Sequence, residues 1–385
     1  MTIMNCENLF REIDKLSDYY LDVLEEVCKK ESPTDFKQGV DAANSIIIDI
    51  AKKHGWSIEV SKQEVSGDSI LITLNPDAKE APVTFSGHMD TVHPVGSFGV
   101  PAVKRDGEKM YGPGCCDCKG GIVAAVCAME ALEKVGFAKR PVQLIIQSDE
   151  EKSSMPSNKE TIKFMCEKSK NSVAFLNCEP HSKSLATMAR KGIIRYEFCV
   201  FGIACHSSNC TKGANAIAEA AHKILELEKL KDEDGLTCNC GVISGGTVAN
   251  TVPDKCTFVA DIRYATLGEL KKVKEIIENV AKMTVIEGCR CEVSEVSHRP
   301  AMVEAERNFE LLEKVNEMYK ENGLQVLNPI VSKGGSDAAY VTEAGIPCID
   351  SVGIEGGGIH SVDEFVYLKS LSETAKRLAC VAYCI

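Results

Sequence analysis

Hydrophobic and polar positions along the first half of the chain predict helices and strands in turn. Apolar side chains recur at helical spacing in residues 10–27, 41–55 and 120–136. Short apolar runs typical of strands, several of the fully buried type, occupy residues 57–65, 69–75, 81–87, 141–147 and 172–177. This alternation predicts an α/β fold with a mixed, largely parallel sheet flanked by helices.

The pattern changes near residue 184. Residues 185–203 read as two strands in close succession, and a helix, two strands, a second helix and a last strand follow up to residue 297. Strand-helix-strand-strand-helix-strand is a compact α+β unit. Helices and strands then alternate again. We therefore expect an α/β domain made of residues 1–184 and 299–385, interrupted by an inserted α+β domain of residues 185–298.

Charge and hydropathy narrow the classes of partner. The chain of 385 residues has a formal net charge of −12, which argues against nucleic acid or an anionic membrane surface as the main partner. No apolar run approaches the ~20 residues of a membrane span. The acidic, amphipathic N-terminal segment lacks the basic and apolar regions of a signal peptide. We expect a cytoplasmic protein.

Nineteen cysteines are scattered along the chain, and we interpret most of them as reduced, structural thiols. Three of them surround Asp117 in the stretch YGPGCCDCKGG. One hypothesis gives these thiols a redox or structural-zinc role, whereas another gives the chemistry to Asp117. A structural zinc site usually takes two C-x-x-C pairs. The other close pairs, Cys238/Cys240 and Cys289/Cys291, have one residue between them.

Side chains that can bind metals follow the ends of the predicted strands. They are His88 and Asp90, then Asp149, Glu150 and Glu151, then Glu179, and finally His360 and Glu364 after a glycine run. Ligand sites in open α/β sheets form at the carboxyl ends of strands. Imidazole and carboxylate ligands suit zinc, cobalt or manganese, and the size of the set suggests two ions with a bridging carboxylate. Asp90 is placed to accept the second ring N–H of His88.

The motifs HMD, GPGCCDCKGG, DEE, EP and GIHSVDE follow in this order from about residue 80 to the C-terminus. With them the chain resembles the co-catalytic zinc peptidase family, and is most similar to its glutamate carboxypeptidase-like members. The family also contains acetylornithine deacetylase, succinyl-diaminopimelate desuccinylase and the aminoacylases. The resemblance implies a zinc-exopeptidase-like catalytic domain, an inserted lid and dimerisation domain, and a homodimer.

The resemblance also implies roles for the strand-end residues. Two divalent ions, zinc before cobalt or manganese, would be held by five ligands, with Asp117 bridging them; these ligands are His88, Asp117, Glu151, Glu179 and His360. Glu150 would be the general base, and Asp90 would orient His88. The peptide bond after Asp117 is often cis in this family. The run EEKSSMPSN departs from the family's pattern after the paired glutamates, so we expect a reshaped loop there.

Further roles fall in the inserted domain and at its end. GIACHSSN resembles a family motif whose histidine, here His206, stabilises the oxyanion, usually in the active site of the partner subunit. The terminal carboxylate of the substrate or the oxyanion would be bound by Asn250, Arg263, Arg299 and Lys191. The expected reaction is hydrolysis of an amide bond in a small peptide or N-acyl amino acid, carboxypeptidase- or dipeptidase-like. The alternatives are an N-acyl amino acid deacylase and a relative that binds amino-acid conjugates without hydrolysing them.

Overall fold

The computed structural model describes residues 5–180, 184–232 and 235–385. These residues divide into two units. The first unit contains the residues up to Met188 together with Glu304–Val331 and Ser336–Ile385. The second contains Ala189–Val303 and Ser332–Gly335. The functions predicted for the two parts of the chain remain predictions.

The helices of the described chain are numbered in chain order. They are α1 Glu7–Cys28, α2 Lys37–Lys53, α3 Gly120–Lys134, α4 Glu160–Ser169, α5 Ala216–Leu227, α6 Leu267–Lys282, α7 Glu306–Glu321, α8 Ala338–Glu343 and α9 Ser370–Cys384. Shorter helical turns occupy Cys115–Lys119, Glu150–Lys152 and Ser207–Lys212. The predicted helices at 10–27, 41–55 and 120–136 correspond to α1, α2 and α3. Helix α4 had no counterpart in the sequence prediction.

The strands are numbered in the same way. They are β1 Ser57–Ser61, β2 Ser69–Leu74, β3 Val83–His88, β4 Lys104–Asp106, β5 Lys109–Tyr111, β6 Val142–Gln147, β7 Ala174–Asn177, β8 Leu185–Arg190, β9 Gly192–Phe201, β10 Thr237–Gly245, β11 Lys255–Tyr264, β12 Arg290–Arg299, β13 Asn328–Ser332, β14 Cys348–Ile349, β15 Gly356–Gly357 and β16 Phe365–Tyr367. The strand predicted over 57–65 ends at Ser61, because the next residues turn around the Asp68 carboxylate, which accepts the backbone N–H of Gln63.

The central sheet of the first unit has the strand order β1-β2-β6-β3-β7-β14. Strands β6, β3, β7 and β14 are parallel to one another, whereas β2 is antiparallel to both β6 and the edge strand β1. The prediction of a mixed, largely parallel sheet flanked by helices is therefore confirmed. Every residue of β2 and β3 is buried, which explains why these strands read as continuous apolar runs in the sequence.

Helix α3 is the central helix of the first unit. All residues from Gly120 to Leu132 are buried, and α3 packs against α1 and α9. A Cβ at Gly121 would lie 2.3 Å from the main-chain oxygen of Cys178, so only glycine allows α3 to come this close to the chain after β7. This contact places the N-terminus of α3 beside the carboxyl ends of the parallel strands.

The second unit is built on an antiparallel sheet with the order β10-β11-β9-β12. Its elements run strand-helix-strand-strand-helix-strand, in the order that the sequence pattern predicts. Phe198 and Phe258 stack in its core with ring centroids 4.6 Å apart. Thr266 and Glu269 form a capping box at the start of α6, which satisfies N–H groups that the helix itself cannot pair.

Two smaller sheets complete the described chain. One has the order β15-β16-β5-β4, and the other pairs β13 with β8. Their strands are two to six residues long, and those of two or three residues are too short to give a clear apolar period. None of the helices in the described ranges is long and apolar enough to cross a lipid bilayer.

Candidate active site

The carboxyl ends of three neighbouring parallel strands bring the predicted chemistry together. His88 is the last residue of β3 and lies opposite Gln147, the last residue of β6. Ser86 of β3 lies opposite Asn177, the last residue of β7. The acidic segment after β6 and Glu179 after β7 therefore leave the sheet at the same edge as His88. This is where ligands bind in open α/β sheets.

Asp117 lies between two histidines. Its Oδ1 is 3.1 Å from Nε2 of His88, and its Oδ2 is 3.4 Å from Nε2 of His360. The side chain comes from the helical turn Cys115–Lys119, which leads into α3. The peptide bond between Asp117 and Cys118 is cis, as the resemblance implies. Each carboxylate oxygen thus faces a different imidazole, which is the arrangement of a bridging ligand.

Three glutamates surround this central group. Glu151 Oε2 lies 3.3 Å from Nε2 of His360, and Glu179 Oε1 lies 3.8 Å from Nε2 of His88. Possible ligand atoms of His88, Glu150 and Glu179 all lie within 4.8 Å of one another, as do those of His88, Asp117 and Glu151. The structure therefore brings together the five predicted ligands and the predicted general base.

The titration behaviour of these groups follows from their crowding. Burial raises the pKa of Glu151 to about 7, and burial together with the charge of Asp117 raises that of Glu179 well above its usual value. Burial alone would raise the pKa of Asp117 as well, but hydrogen bonds from the two histidines lower it. The hydrogen bonds to Asp117 and Glu151 raise the pKa of His360 to about 10. Crowded carboxylates of this kind are stabilised by a cation.

The donor set fits divalent metal ions. Two imidazoles and several carboxylates form an N/O ligand set suited to zinc, cobalt or manganese. His88 is buried, and its Nδ1 is fixed 3.0 Å from the main-chain oxygen of Asp90, which leaves Nε2 directed at the carboxylates. His360 adopts a left-handed backbone with φ 63°, a conformation that clusters at functional sites.

Asp90 contacts both His88 and the segment after β6. Its carboxylate is 3.5 Å from Nδ1 of His88, and its main-chain oxygen is 3.0 Å from the same atom. The two carboxylate oxygens also accept the backbone N–H groups of Glu150 and Glu151, at 3.1 and 3.2 Å. The hydroxyl of Thr34 also donates to Asp90. Asp90 therefore fixes the segment that carries the proposed base.

Asp149 shapes the loop after the paired glutamates. Its carboxylate accepts the backbone N–H of Ser157 and the hydroxyl of Thr161. Four residues of this loop have left-handed backbones, with φ between 52° and 65°: Ser153, Ser154, Asn158 and Lys159. The unusual run EEKSSMPSN thus forms a tightly turned loop held by Asp149, a function that the sequence did not indicate for this residue.

The three cysteines around Asp117 are buried. Burial raises the pKa of each thiol well above its usual value, and protonated thiols are poor nucleophiles. Cys118 donates to the main-chain oxygen of Cys178 at 3.1 Å. Among the residues described, none of the three belongs to a group of side chains able to hold a metal ion. These contacts support packing rather than chemistry for the CCDC stretch.

Comparison with known proteins agrees with this geometry. Residues 84–383 match the model of peptidase family M20/M25/M40. The chain belongs to this family. It is therefore a metal-dependent hydrolase of the metallopeptidase and amidohydrolase type, and the predicted enzyme class is confirmed.

Named relatives span most of this M20-family chain. It is 28% identical over 366 residues to carboxypeptidase G2 of Pseudomonas sp. (strain RS-16), covering 93% of this chain and 86% of the relative. It is 25% identical to succinyl-diaminopimelate desuccinylase of Nitrosospira multiformis, covering 89% and 92%. A tripeptidase from Staphylococcus aureus has a similar fold, with a TM-score of 0.77, 21% identity and coverage of 95% and 98%.

Two predicted site residues lie side by side in the second unit. His206 is exposed and precedes the turn Ser207–Lys212, and its Nδ1 accepts the backbone N–H of Ser208. Asn250 is exposed as well, and its main-chain oxygen accepts the N–H of Ser207 at 2.9 Å. The structure thus joins the GIACHSSN and NTVPD segments, which the sequence had linked only through the family resemblance.

The other predicted substrate-binding residues are engaged within the second unit. The guanidinium of Arg263 donates to the Asp261 carboxylate, which also accepts from Arg195. Lys191 is buried and donates to the main-chain oxygen of Gly235 at 2.8 Å. Arg299 is buried at the end of β12. These contacts position Arg263 and Lys191, and the role of all three cationic side chains toward a substrate remains a prediction.

Proposed function

We propose that this M20-family enzyme hydrolyses the amide bond at the amino-acid end of small peptides or N-acyl amino acids, in the manner of a carboxypeptidase or dipeptidase. The observation that carries this proposal is the position of Asp117, whose two oxygens face His88 and His360. A carboxylate in that position can bridge two divalent ions, and paired ions are the basis of many hydrolytic sites.

The proposed ligands divide into two sets that share Asp117. His88 and Glu179 complete one set, and His360 and Glu151 complete the other, in keeping with the distances between their atoms. We propose zinc as the metal, with cobalt or manganese able to replace it. When bound, the ions supply a water of lowered pKa and polarise the carbonyl group of the substrate.

Glu150 is the proposed general base. It accepts a proton from the attacking water and transfers this proton to the leaving amine. Its carboxylate has an oxygen within 4.8 Å of ligand atoms of His88 and Glu179. The Asp90 carboxylate accepts a hydrogen bond from the backbone N–H of Glu150. A base fixed in this way is ready to act without rearrangement of its loop.

The second unit is proposed to supply groups that bind the substrate. The Nδ1 atom of His206 accepts a hydrogen bond, so a neutral ring carries its proton on Nε2 and can donate it to the tetrahedral oxyanion. Asn250 and Arg263 would bind the oxyanion or the terminal carboxylate of the substrate, and Arg299 and Lys191 would support that carboxylate. These roles rest on the family resemblance.

A homodimer formed through the second unit is also proposed. Strand β10 lies at the edge of its sheet, and Val242 and Ile243 on this strand are 63% and 54% exposed. An exposed apolar edge strand invites pairing with another chain. Light scattering should give twice the chain mass, and Ile243→Lys should give the monomer, whereas Val285→Lys, away from this edge, should not. A monomeric wild-type protein at micromolar concentration would contradict the proposal.

The proposed compartment is the cytoplasm. All 19 cysteines are present as thiols rather than disulfides. Such a population of thiols suits a reducing compartment.

The second candidate function is deacylation of N-acyl amino acids. It is favoured by the relationship to succinyl-diaminopimelate desuccinylase, whereas the relationship to carboxypeptidase G2 favours the first. A panel of dipeptides, N-acyl glutamates, and N-acetyl and N-succinyl amino acids distinguishes the two.

The enzyme is first stripped of metal with a chelator and then loaded with zinc, cobalt or manganese. We expect hydrolysis of peptides only after metal is restored. Binding of the panel without hydrolysis by any metal-loaded form would favour a non-hydrolytic relative.

A further inference from the structure

Three cysteines from distant parts of the sequence converge in the first unit. The Sγ atoms of Cys6, Cys380 and Cys384 all lie within 4.8 Å of one another, and those of Cys6 and Cys384 are 3.5 Å apart. The cluster joins the residue that precedes α1 to the last turns of α9. It shares no residue with the candidate active site.

Local structure fixes each thiol. Cys380 and Cys384 are four residues apart on α9, so they project from one face of the helix. Cys6 is the N-cap residue of α1 but makes no side-chain capping bond, and its backbone N–H donates to the Asn322 side chain at 2.9 Å. The thiol of Cys380 contacts the main-chain oxygen of Met318 at 3.9 Å. Both halves of the cluster are thus tied to the C-terminal part of α7.

The distances suit a common soft cation. Zinc bonds to sulfur at about 2.3 Å, so two sulfur ligands in a tetrahedral site lie about 3.8 Å apart. The Cys6–Cys384 separation of 3.5 Å is close to this value, and all three sulfur atoms lie within 4.8 Å of one another. Cys6 and Cys380 are buried, whereas Cys384 is partly exposed. Solvent can therefore reach the cluster from one side, which provides a route for an ion and a position for a water ligand.

Packing alone does not require such convergence. Cysteine thiols often pack singly as small apolar groups. Within the described ranges, three groups of side chains have the spacing of a metal site, and the other two consist of His88 and carboxylates of the active site. The cysteine cluster is therefore an all-sulfur ligand set on a chain whose catalytic ligands are nitrogen and oxygen.

We propose that Cys6, Cys380 and Cys384 bind one thiophilic closed-shell cation, Zn²⁺ or Cu⁺, which links the start of the first helix to the end of the last. Thiolates are the ligands that these ions prefer. Binding releases the thiol protons to solvent and leaves the three sulfurs as ligands. Because the ion joins two ends of the fold, it stabilises the folded state over the unfolded one.

Cadmium is the probe for the test, since its thiolate complexes absorb in the ultraviolet. The full-length enzyme, reduced with a phosphine and carrying only the two equivalents of zinc proposed for its active site, is titrated with Cd²⁺. We expect a sulfur-to-cadmium band that saturates at one equivalent and a rise in the melting temperature. Cys384→Ser should weaken the binding that produces the band at least 100-fold, whereas Cys166→Ser, a partly exposed cysteine on α4 outside the cluster, should retain it.

Folding of the variants is checked by circular dichroism, so a loss of the band cannot be attributed to unfolding. The double variant Cys6→Ser/Cys384→Ser should lack both the band and the stabilisation by cadmium. The absence of a band in the wild-type enzyme would overturn the proposal, as would a band of equal size in the folded double variant. Neither result depends on which substrate the enzyme hydrolyses.

Discussion

The Glu364 side chain binds the backbone of Asp117, because Glu364 Oε1 accepts the N–H of Asp117 at 2.9 Å. The same oxygen accepts the N–H of Cys116, and Oε2 accepts the N–H of Gly114 and contacts Nε2 of His93 at 2.8 Å. Glu364 is completely buried. It therefore fixes the turn from which the central carboxylate of the active site projects.

Glu364→Gln should weaken metal binding without removing a ligand. A glutamine amide keeps the size of the side chain but replaces one acceptor oxygen with an NH₂ group. This donor would face backbone N–H groups, which are donors as well. Loss of a group that orients ligands typically costs about 10- to 100-fold in metal affinity. Competition with a chromophoric chelator measures this affinity. Asp363→Asn, at the exposed neighbouring position, is the control. Equal affinities of Glu364→Gln and the wild type would show that this network does not support the metal site.

Glu150→Gln should abolish most turnover while metal stays bound. A general base contributes about 100- to 10,000-fold in rate, so kcat should fall by a factor in that range. Because Glu150 also lies within reach of His88 and Glu179 as a possible ligand, metal content distinguishes the two roles. Glu160→Gln, exposed at the start of α4, should leave kcat and metal content unchanged. A metal-loaded Glu150→Gln enzyme with full activity would exclude Glu150 from catalysis.

The placement of the active-site residues could be predicted largely because the sheet is parallel. His88 and the acidic residues after Gln147 follow apolar runs, and parallel strands deliver their ends to one edge. Asp117 is different, since it does not follow a strand. Only the family resemblance assigned it to the centre, and the local pattern of cysteines pointed toward thiol chemistry instead.

The hydrogen-bonding roles could not be predicted in the same way. The sequence shows that Asp90 is two residues from His88, but it does not show that backbone N–H groups of the 150–151 segment occupy the Asp90 carboxylate. Likewise, Glu364 reads as another strand-end acid, although its partners are backbone groups about 250 residues away. Such pairs depend on the order of strands in the sheet, which hydrophobic periodicity leaves undetermined.

Gly121→Ala should destabilise the first unit and lower activity. The new Cβ would lie 2.3 Å from the main-chain oxygen of Cys178, so α3 or the segment carrying Glu179 has to shift. Overpacking of this kind costs about 1–3 kcal/mol, and the urea midpoint should fall accordingly.

The control is Gly268→Ala on α6, where the nearest atom to the new Cβ is 3.8 Å away. Its stability should be unchanged or higher by up to about 1 kcal/mol. An unchanged urea midpoint in Gly121→Ala would show that the close approach is not needed.

Glu219 is a buried carboxylate in the second unit. Its Oε2 accepts the N–H groups of Val285 and Ile286 at 2.9 and 2.7 Å, and its Oε1 lies 3.2 Å from Nζ of Lys223. Both side chains of this ion pair are about 1% exposed. Burial alone would raise the pKa of Glu219, but the N–H of Ile286 and the ammonium group of Lys223 lower it.

Glu219→Gln should therefore lower the stability of the fold at neutral pH and make that stability less dependent on pH in the acid range. A carboxyl group whose pKa is lower in the folded state stabilises the protein fully above its unfolded pKa of about 4.3, and this stabilisation is lost as the pH falls through the folded pKa. At neutral pH the variant leaves Lys223 without its counterion, which should cost about 3 kcal/mol. The wild-type and variant melting temperatures should approach each other as the pH falls from neutral to below about 4.3. Glu226→Gln, on the same helix as Glu219, breaks an exposed pair with Lys229 and should change stability by less than about 1 kcal/mol at any pH. Melting curves of Glu219→Gln and wild type that stay the same distance apart over this range would show that the Glu219 charge does not stabilise the fold.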